Sequence, residues 1–313
     1  MSFIPLQSVQ RARANVQTWE KAGRLPPWFK VKIQKGGNYR DIRKILDEQG
    51  LHTICEEAKC PNVWECWNNR TATFLILGDI CTRRCGYCSV TTGRPEELNQ
   101  EEPQRVAHAV KTLGLRHAVI TSVNRDELED GGASMFAKTI RAIRELSPSC
   151  SIEVLIPDFQ GNEEALGVVL KESPDILNHN IETVPRLFPT VRPQGKYLRS
   201  LELLKRAKQL GGRTKSGIIA GMGETPSEMT EVMTDLRKAE CDILSIGQYL
   251  QPTKAHIPVS RYYTPEEFDD WGQEAKNLGF DHVESGPLVR SSYHAEQQTK
   301  VGTSGSVAKS SKY

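Results

Sequence analysis

From residue 71 onward, the chain alternates short runs of β-branched and apolar residues with longer segments of helical periodicity. Six of the short runs predict strands, at residues 71–77, 117–123, 151–156, 175–181, 214–220 and 242–249. Between them, apolar residues recur at spacings of three and four, as at Val106, Val110 and Leu113, and this spacing predicts amphipathic helices. Repeated strand–helix units of this kind require a parallel sheet with right-handed crossovers.

The ends of the predicted helices agree with this pattern. Gly114 and the pair Gly211-Gly212 follow periodic segments and are typical of helix C-termini. Residues 225–228 (Thr-Pro-Ser-Glu) and 264–267 (Thr-Pro-Glu-Glu) have the order of capped helix starts. Six units are too few for a closed eight-stranded barrel, so the sequence predicts an α/β fold, an open and partial (β/α)6 barrel of the TIM type. The functional residues of such a barrel lie at the C-terminal ends of its strands.

Composition divides the chain into three parts. Residues 1–70 contain Trp19, the segment 26–29 (Pro-Pro-Trp-Phe) and three cysteines, and they predict an N-terminal cap over one end of the barrel. Residues 71–285 form the predicted barrel. Residues 286–313 form a C-terminal extension, and its Gly-, Ser- and Lys-rich end beyond Tyr293 has so little to bury that we expect it to be disordered.

Charge and hydropathy narrow the classes of partner. The 313 residues are 38% hydrophobic and 26% charged, which is typical of a globular protein. A net charge of +2 gives no general attraction to nucleic acid, although the stretch 11–40 is locally basic. That stretch is either a solvated face or a docking surface for an acidic protein.

The same pattern bears on location. No run of 18 apolar residues occurs, so the sequence predicts no membrane span, and the N-terminus lacks the apolar core of a secretory signal. We therefore expect a cytoplasmic protein. The Arg-bearing, acid-free first fifteen residues leave import into an organelle open.

Cysteine spacing carries the chemical information. Six of the eight cysteines lie within residues 55–88, whereas Cys150 and Cys241 lie in ordinary helix-and-strand sequence and are interpreted as bystanders. An even count indicates disulfides mainly in short secreted chains, so a metal is favoured here. The six fall into two triplets, which are Cys55, Cys60 and Cys66, and Cys81, Cys85 and Cys88.

The second triplet, Cys81-x-x-x-Cys85-x-x-Cys88, follows the first predicted strand directly. Three thiolates on a short loop can bind three corners of a four-iron cluster and leave the fourth iron open. Zinc is the alternative, but zinc sites usually pair two short Cys hooks across a longer spacer, whereas this sequence has a single two-residue spacing and unequal gaps. The first triplet alone could be three buried thiols. Its polar, proline and tryptophan spacer residues favour a second cluster instead.

Residues 79–88 (Asp-Ile-Cys-Thr-Arg-Arg-Cys-Gly-Tyr-Cys) resemble the cluster loop of the radical S-adenosylmethionine (radical SAM) family. The resemblance implies that the open iron chelates the amino acid end of SAM. It further implies that reductive cleavage of SAM gives methionine and a 5′-deoxyadenosyl radical, which abstracts hydrogen from an unactivated carbon.

The pair of triplets is similar to the arrangement in the lipoyl synthase family, in which the N-terminal triplet holds an auxiliary cluster. The similarity extends from about Pro26 to about Ala295 and includes the segments 124–126 (Asn-Arg-Asp), 130–132 (Asp-Gly-Gly), 178–183 (Asn-His-Asn-Ile-Glu-Thr), 221–225 (Gly-Met-Gly-Glu-Thr), 248–253 (Gln-Tyr-Leu-Gln-Pro-Thr) and 286–293 (Gly-Pro-Leu-Val-Arg-Ser-Ser-Tyr). It implies two 4Fe-4S clusters, with Ser292 as the catalytic, non-cysteine fourth ligand of the auxiliary one. The neighbouring Ser291 is the open alternative.

Polar residues that follow the predicted strands are the expected contacts of SAM. They are Tyr87 against the adenine, and Ser122, Asn124, Asp126, Asn180 and Glu182 toward the ribose and amino acid portions. The alternative for each is a plain cap or turn. His179 is predicted to be a hydrogen-bonded strand residue, and the Gly221-Met222-Gly223 turn is only weakly indicative of nucleoside binding.

The resemblance implies a sulfurtransferase that inserts two sulfur atoms, at C6 and C8, into an octanoyl group on a lysine of a lipoyl carrier domain. Both sulfurs would come from the auxiliary cluster. The implied partners are the glycine cleavage H protein or 2-oxoacid dehydrogenase E2 domains, and a low-potential donor such as ferredoxin or flavodoxin. The alternatives are another sulfur-inserting or dehydrogenating radical SAM enzyme, and a zinc-stabilised binding module without catalysis.

Overall fold

The computed structural model describes residues 25–30, 37–58 and 60–298. Trp19 and most of the basic residues of the stretch 11–40 lie outside the described residues, as does the chain beyond residue 298. The disorder expected beyond Tyr293 does not hold for residues 294–298, because Ala295–Gln297 form a short 3-10 helix and Ala295 and Gln298 are buried.

An eight-stranded sheet forms the centre of the molecule. Its strands are β1 (His52–Thr53), β2 (Thr71–Ile76), β5 (His117–Ser122), β6 (Ser151–Leu155), β7 (Ile176–Asn178), β8 (Thr214–Ala220), β9 (Ile243–Gln248) and β10 (His282–Gly286). They are hydrogen-bonded in that order, and β1 alone among them is antiparallel to its neighbour. Two further strands, β3 (Ile80–Cys81) and β4 (Thr91–Thr92), form a separate parallel pair. The sheet ends in two edge strands, β1 and β10, which do not pair with each other. The sheet therefore does not close, and the predicted open, partial barrel is confirmed.

Helices connect the strands and cover the sheet. They are α1 (Gly37–Gln49), α2 (Ile54–Glu57), α3 (Val63–Asn68), α4 (Glu102–Leu113), α5 (Ala133–Leu146), α6 (Glu163–Lys171), α7 (Phe188–Val191), α8 (Tyr197–Gln209), α9 (Pro226–Lys238) and α10 (Pro265–Asn277). Both predicted capping boxes are present, at Thr225 with Glu228 and at Thr264 with Glu267. Gly114 ends α4 in the left-handed conformation, at φ 57°.

Two strands of the sheet were not predicted. β10 reads His-Val-Glu-Ser-Gly, with one β-branched apolar residue, and its residues up to Ser285 are only half-buried. It pairs in parallel with β9 and places the C-terminal segment beside the mouth of the barrel. β1 has two residues and pairs with the far edge of β2. Neither strand has the hydrophobic run from which a buried strand is recognised.

A buried ion pair closes the N-terminal end of the barrel. Lys215 Nζ lies 3.0 and 3.1 Å from the two carboxylate oxygens of Glu153, and neither side chain is exposed. Asn178 Nδ2 donates to the same carboxylate at 2.9 Å. Desolvation opposes ionisation of Glu153, but Lys215 and the donors around it hold its pKa below the usual range.

This pair gives a stability prediction. Lys215→Met removes the lysine charge from the buried Glu153 carboxylate, and we expect it to lower the free energy of unfolding by about 3–5 kcal/mol. The carboxylate would keep only the Asn178 amide and the His117 ring, whose Nε2 lies 3.8 Å away. Lys238→Met is the control, because its pair with Asp235 is exposed and contributes at most about 1 kcal/mol. Urea denaturation of both variants measures the difference. Equal stabilities would show that the buried pair is not what holds this end of the barrel together.

The C-terminal segment folds back over the cap that precedes β2. Asn62 Nδ2 donates to the Leu288 carbonyl at 2.6 Å, and the Tyr293 hydroxyl donates to the Glu65 carboxylate at 3.3 Å. These contacts join residues 226 and 228 positions apart. The first cysteine triplet and residues 290–293 therefore lie together, at the C-terminal end of the barrel strands.

Candidate active site

The loop of Cys81, Cys85 and Cys88 lies at the mouth of the barrel and is held on several sides. Two backbone N–H groups point at the Cys81 sulfur, from Arg83 at 3.4 Å and from Asn124 at 3.3 Å. The Cys88 carbonyl lies 2.9 Å from His256 Nε2. Donors to thiolate sulfur tune the potential of an iron–sulfur cluster, so the loop is both positioned and polarised by its neighbours.

A buried arginine anchors the middle of this loop. The guanidinium of Arg83, 3% exposed, donates to Asp126 at 2.6 and 2.8 Å and to Asp158 at 2.5 Å. Asp158 also pairs with Arg199 at 3.2 Å. The Asp126 carboxylate is therefore engaged with the loop and does not border the main cavity, unlike the other expected SAM contacts.

The main cavity is enclosed by the strand ends, the second triplet and the C-terminal segment, and has a volume of about 370 Å³. Its wall includes five of the six expected SAM contacts, which are Tyr87, Ser122, Asn124, Asn180 and Glu182. Within the described residues, Ser122 Oγ, Asn124 Oδ1 and Asn180 Oδ1 are buried and have no hydrogen-bond partner. Buried polar atoms without partners are rare, so these three indicate that the cavity takes a polar ligand.

The Glu182 carboxylate is a further charge in this wall. Its backbone is left-handed, at φ 69°, which is uncommon for a residue with a side chain and typical of functional sites. Burial raises the pKa of Glu182, while Arg192, Asn180 and Tyr87 favour its charged form. Arg192 in turn donates to the Asn180 carbonyl at 2.7 Å. The pair of Glu182 and Arg192 can orient a ligand that carries both charges, as the amino acid end of SAM does.

The first triplet faces a second, smaller cavity. Its lining residues include Cys55, Cys60, Cys66 and Ser292. Cys55, Cys60 and Ser292 also border the main cavity, so the two cavities share one wall. Three thiols and one hydroxyl thus meet at one place, although Ser292 is 226 positions from Cys66 in the chain.

The two neighbouring serines differ in their surroundings. Ser291 does not border the cysteine cavity, and its hydroxyl accepts a hydrogen bond from Asn180 Nδ2 at 2.7 Å. Ser292 borders that cavity. This difference favours Ser292 over Ser291 as the oxygen ligand beside the first triplet.

The thiols need a cation to ionise. Burial raises the pKa of Cys55 and of Cys88 to about 12. Burial and then the charges of Cys55 and Cys60 raise the pKa of Cys66. Metal ligation displaces the proton of such thiols. Among the described residues, no three His, Cys, Asp or Glu side chains could hold a single metal ion. Each thiolate of an iron–sulfur cluster binds a different iron, so its ligands lie further apart than those of one zinc ion.

Other residues singled out from the sequence lie in plainer roles. His179 is buried with both ring nitrogens at 2.9 Å from partners, Ile156 O and Ser200 Oγ, as predicted. The Gly221 and Met222 N–H groups donate to Glu224, and this turn does not border the main cavity. Cys150 and Cys241 are buried and border neither cavity.

Gly247, at the end of β9, was not singled out from the sequence. A Cβ atom placed there would lie 2.1 Å from the Val289 carbonyl oxygen, which no Cβ can do. We expect Gly247→Ala to displace the C-terminal segment and to lower iron and sulfide content toward that of one cluster. Gly167→Ala, in α6 with open space around its Cα, is the matched control and should keep the full content. Wild-type content in Gly247→Ala would mean that the segment is not held at β9.

In the described part of the chain, every helix is too short or too polar to cross a bilayer. Several solved structures have the same architecture. That of Streptococcus suis SuiB bound to S-adenosylmethionine superposes with a TM-score of 0.55 at 11% identity, covering 90% of this chain and 62% of that one. The same protein bound to its precursor peptide SuiA gives a TM-score of 0.55 at 13% identity and 89% coverage of this chain. At such low identity these similarities concern the fold alone.

Sequence comparison, unlike the superpositions, bears on the family of this chain. The model of the radical SAM superfamily matches residues 75–236, and that of the N-terminal domain of lipoyl synthase matches residues 7–60. Lipoyl synthase of Rubrobacter xylanophilus is 61% identical over 88% of this chain and 86% of its own length. That of Koribacter versatilis is 56% identical over 87% and 90%. Two 4Fe-4S clusters and SAM follow as the cofactors. This chain belongs to the lipoyl synthase family of the radical SAM superfamily.

Proposed function

We propose that the chain inserts two sulfur atoms, at C6 and C8, into an octanoyl group carried on a protein lysine, and so makes the lipoyl cofactor. The observation that carries the proposal is the shared wall between the two cavities, where Cys55, Cys60 and Ser292 border the cavity that the other triplet also lines. A substrate in the main cavity lies between the two cysteine triplets. That position suits a reaction in which hydrogen abstraction and sulfur donation occur at the same carbon.

When bound, SAM and its cluster supply the radical that abstracts hydrogen, and the auxiliary cluster supplies sulfur. The chain's own residues bind and orient. Cys81, Cys85 and Cys88 would hold one cluster, and Cys55, Cys60, Cys66 and Ser292 would hold the other. Ser122, Asn124 and Asn180 carry unpartnered polar atoms that would bind SAM. The Glu182 carboxylate, in the same wall, would accept hydrogen bonds from its ammonium group. Asp126 acts indirectly, because it fixes Arg83 within the cluster loop.

Part of the wall of the main cavity is apolar. Leu75, Val119, Leu155 and Ile218 lie in its wall beside the polar residues. An octanoyl chain is apolar over its whole length and gains free energy when it leaves water for such a wall. Exclusion of water also protects a radical from side reactions.

The proposal also gives each part of the chain a role and names a carrier of the octanoyl group and an electron donor. Residues 1–70 act as the cap with the auxiliary triplet, residues 71–285 as the radical SAM barrel and residues 286–313 as the segment with Ser292. The octanoyl group arrives on a lipoyl carrier, either the glycine cleavage H protein or a 2-oxoacid dehydrogenase E2 domain. A low-potential donor such as ferredoxin or flavodoxin supplies electrons. Cytoplasmic location fits eight free thiols, since oxidising compartments favour disulfides.

An anaerobic assay tests the function directly. The reconstituted protein is incubated with SAM, a strong reductant and an octanoyl-lysyl peptide, and the peptide is analysed by mass spectrometry. We expect a dithiolated peptide together with methionine and 5′-deoxyadenosine. Dehydrogenation without sulfur addition would indicate the related class of dehydrogenating radical SAM enzymes. A colourless protein that contains zinc and no sulfide would leave only a binding role.

A further inference from the structure

Arg290 is a charged side chain that borders both cavities. It belongs to the C-terminal segment, two positions before Ser292, and its residue is half-buried. Its hydrogen bond in the structure goes to a neutral group, the Val289 carbonyl, at 2.7 Å from Nη1. Among the described residues, no carboxylate lies within ion-pair distance of its guanidinium.

Two other arginines that border the main cavity, Arg83 and Arg192, have carboxylates nearby. Arg83 has Asp126 and Asp158, and Arg192 has Glu182 nearby. A cation removed from water is costly unless an anion accompanies it, and a single partnerless charge of this kind destabilises the fold. The position of Arg290 therefore indicates an anion that enters the cavity with a ligand.

The surroundings of Arg290 indicate which ligand brings that anion. In the lining of the smaller cavity, Arg290 is the cationic side chain among the described residues, and it lies there beside Cys55, Cys60 and Cys66. A Cβ built on Gly247 would lie 3.4 Å from Arg290 Nη1, so the end of β9 leaves room for the guanidinium. Glu182 and Arg192 line the main cavity but not the smaller one.

We propose that Arg290 is the counter-charge of the auxiliary cluster, a positioning residue that balances the negative charge brought by Cys55, Cys60, Cys66 and Ser292. The inference rests on the proposed cluster site and adds a residue that is not a ligand. A nearby positive charge favours the more negative, reduced form of a cluster and therefore raises its potential. It also opposes loss of iron from the thiolates, as partners outside the ligand set commonly do.

The test compares three variants of the reconstituted holoenzyme. Arg290→Gln removes the charge, Arg290→Lys keeps it, and Arg237→Gln is the matched control. Arg237 is also half-buried and donates to a main-chain carbonyl, that of Cys241, but it borders neither cavity. Reductive titration followed by electron paramagnetic resonance gives the potential of each cluster, and the cluster whose spectrum changes with SAM is the radical SAM cluster. Loss of iron to a chelator gives the retention of each.

For Arg290→Gln we expect a more negative potential of the auxiliary cluster and loss of its iron about 10–100-fold faster. The dissociation constant of SAM should stay at the wild-type value, Arg290→Lys should recover most of the retention, and Arg237→Gln should match wild type. Unchanged potential and retention in Arg290→Gln would overturn the inference. So would a weakened affinity for SAM with an unaffected auxiliary cluster, because the anion would then be the SAM carboxylate.

The results of these measurements distinguish failure of the counter-charge role of Arg290 from failure of the proposed function. A wild-type protein that fails to thiolate the octanoyl peptide, combined with an altered auxiliary cluster in Arg290→Gln, overturns the function and keeps the counter-charge. Full occupancy of the radical SAM cluster in Arg290→Gln shows that the variant is folded. If that occupancy is lost as well, Arg290→Lys decides, since a folded Lys variant with poor retention contradicts a role based on charge alone.

Discussion

Replacing Cys55, Cys60 and Cys66 together with alanine is expected to abolish sulfur insertion and to leave SAM cleavage in place. The three side chains line the smaller cavity, whereas the loop of Cys81, Cys85 and Cys88 is held by its own contacts with Arg83, Asn124 and His256. We therefore expect the two clusters to assemble independently. We expect 5′-deoxyadenosine from the triple variant, with no thiolated peptide and about half of the wild-type iron.

The double variant Cys150→Ala and Cys241→Ala is the matched control for this experiment. Both cysteines are buried like Cys55, but they border neither cavity, so removing them should not change iron content or product. If the triple variant still makes dithiolated peptide, the first triplet is not the source of sulfur. If it loses SAM cleavage as well, the two sites are not independent.

Ser292 is expected to control the release of sulfur. Cysteine at this position supplies a softer thiolate, which iron in a cluster prefers to an oxygen ligand, and the stronger bond opposes loss of that iron. We expect Ser292→Cys to assemble both clusters and to make at least about 100-fold less product, a loss typical of changes at a metal site. Ser292→Ala leaves the iron open to water. Iron content, sulfide content and product yield are measured together.

Ser291→Ala is the control, because its hydroxyl accepts from Asn180 and does not border the cysteine cavity. We expect it to keep both clusters and to affect mainly the SAM side of the main cavity. Wild-type product from both Ser292 variants, with loss in Ser291→Ala, would transfer the ligand role to Ser291.

Local patterns in the sequence predicted most of the fold. The six strands recognised from β-branched runs are all present, with ends shifted by at most a few residues, as for β7, which is shorter than residues 175–181. Spacing alone grouped the cysteines, because the cysteine ligands expected for each cluster are close in the chain. Residues after the strands, such as Asn124 and Asn180, were expected at the barrel mouth, since parallel strands end at one edge of a sheet.

Contacts between distant segments could not be predicted in this way. Asp126 follows a strand, as other expected SAM contacts do. No local pattern shows that its carboxylate is hydrogen-bonded to Arg83, 43 positions away. Asp158 and Arg199 complete that network from two further segments. The need for glycine at 247 depends on the Val289 carbonyl, which only the pairing of β10 with β9 brings there.

We propose that the sulfur in the product comes from the cluster held by Cys55, Cys60, Cys66 and Ser292. The most direct measurement reconstitutes the protein with sulfide of a heavy sulfur isotope, removes free sulfide and starts the reaction with SAM, reductant and unlabelled octanoyl-lysyl peptide. We predict that both sulfur atoms of the dithiolated peptide carry the heavy isotope, as read by mass spectrometry. A dithiolated peptide with sulfur of natural isotope abundance would show that the sulfur does not come from the cluster.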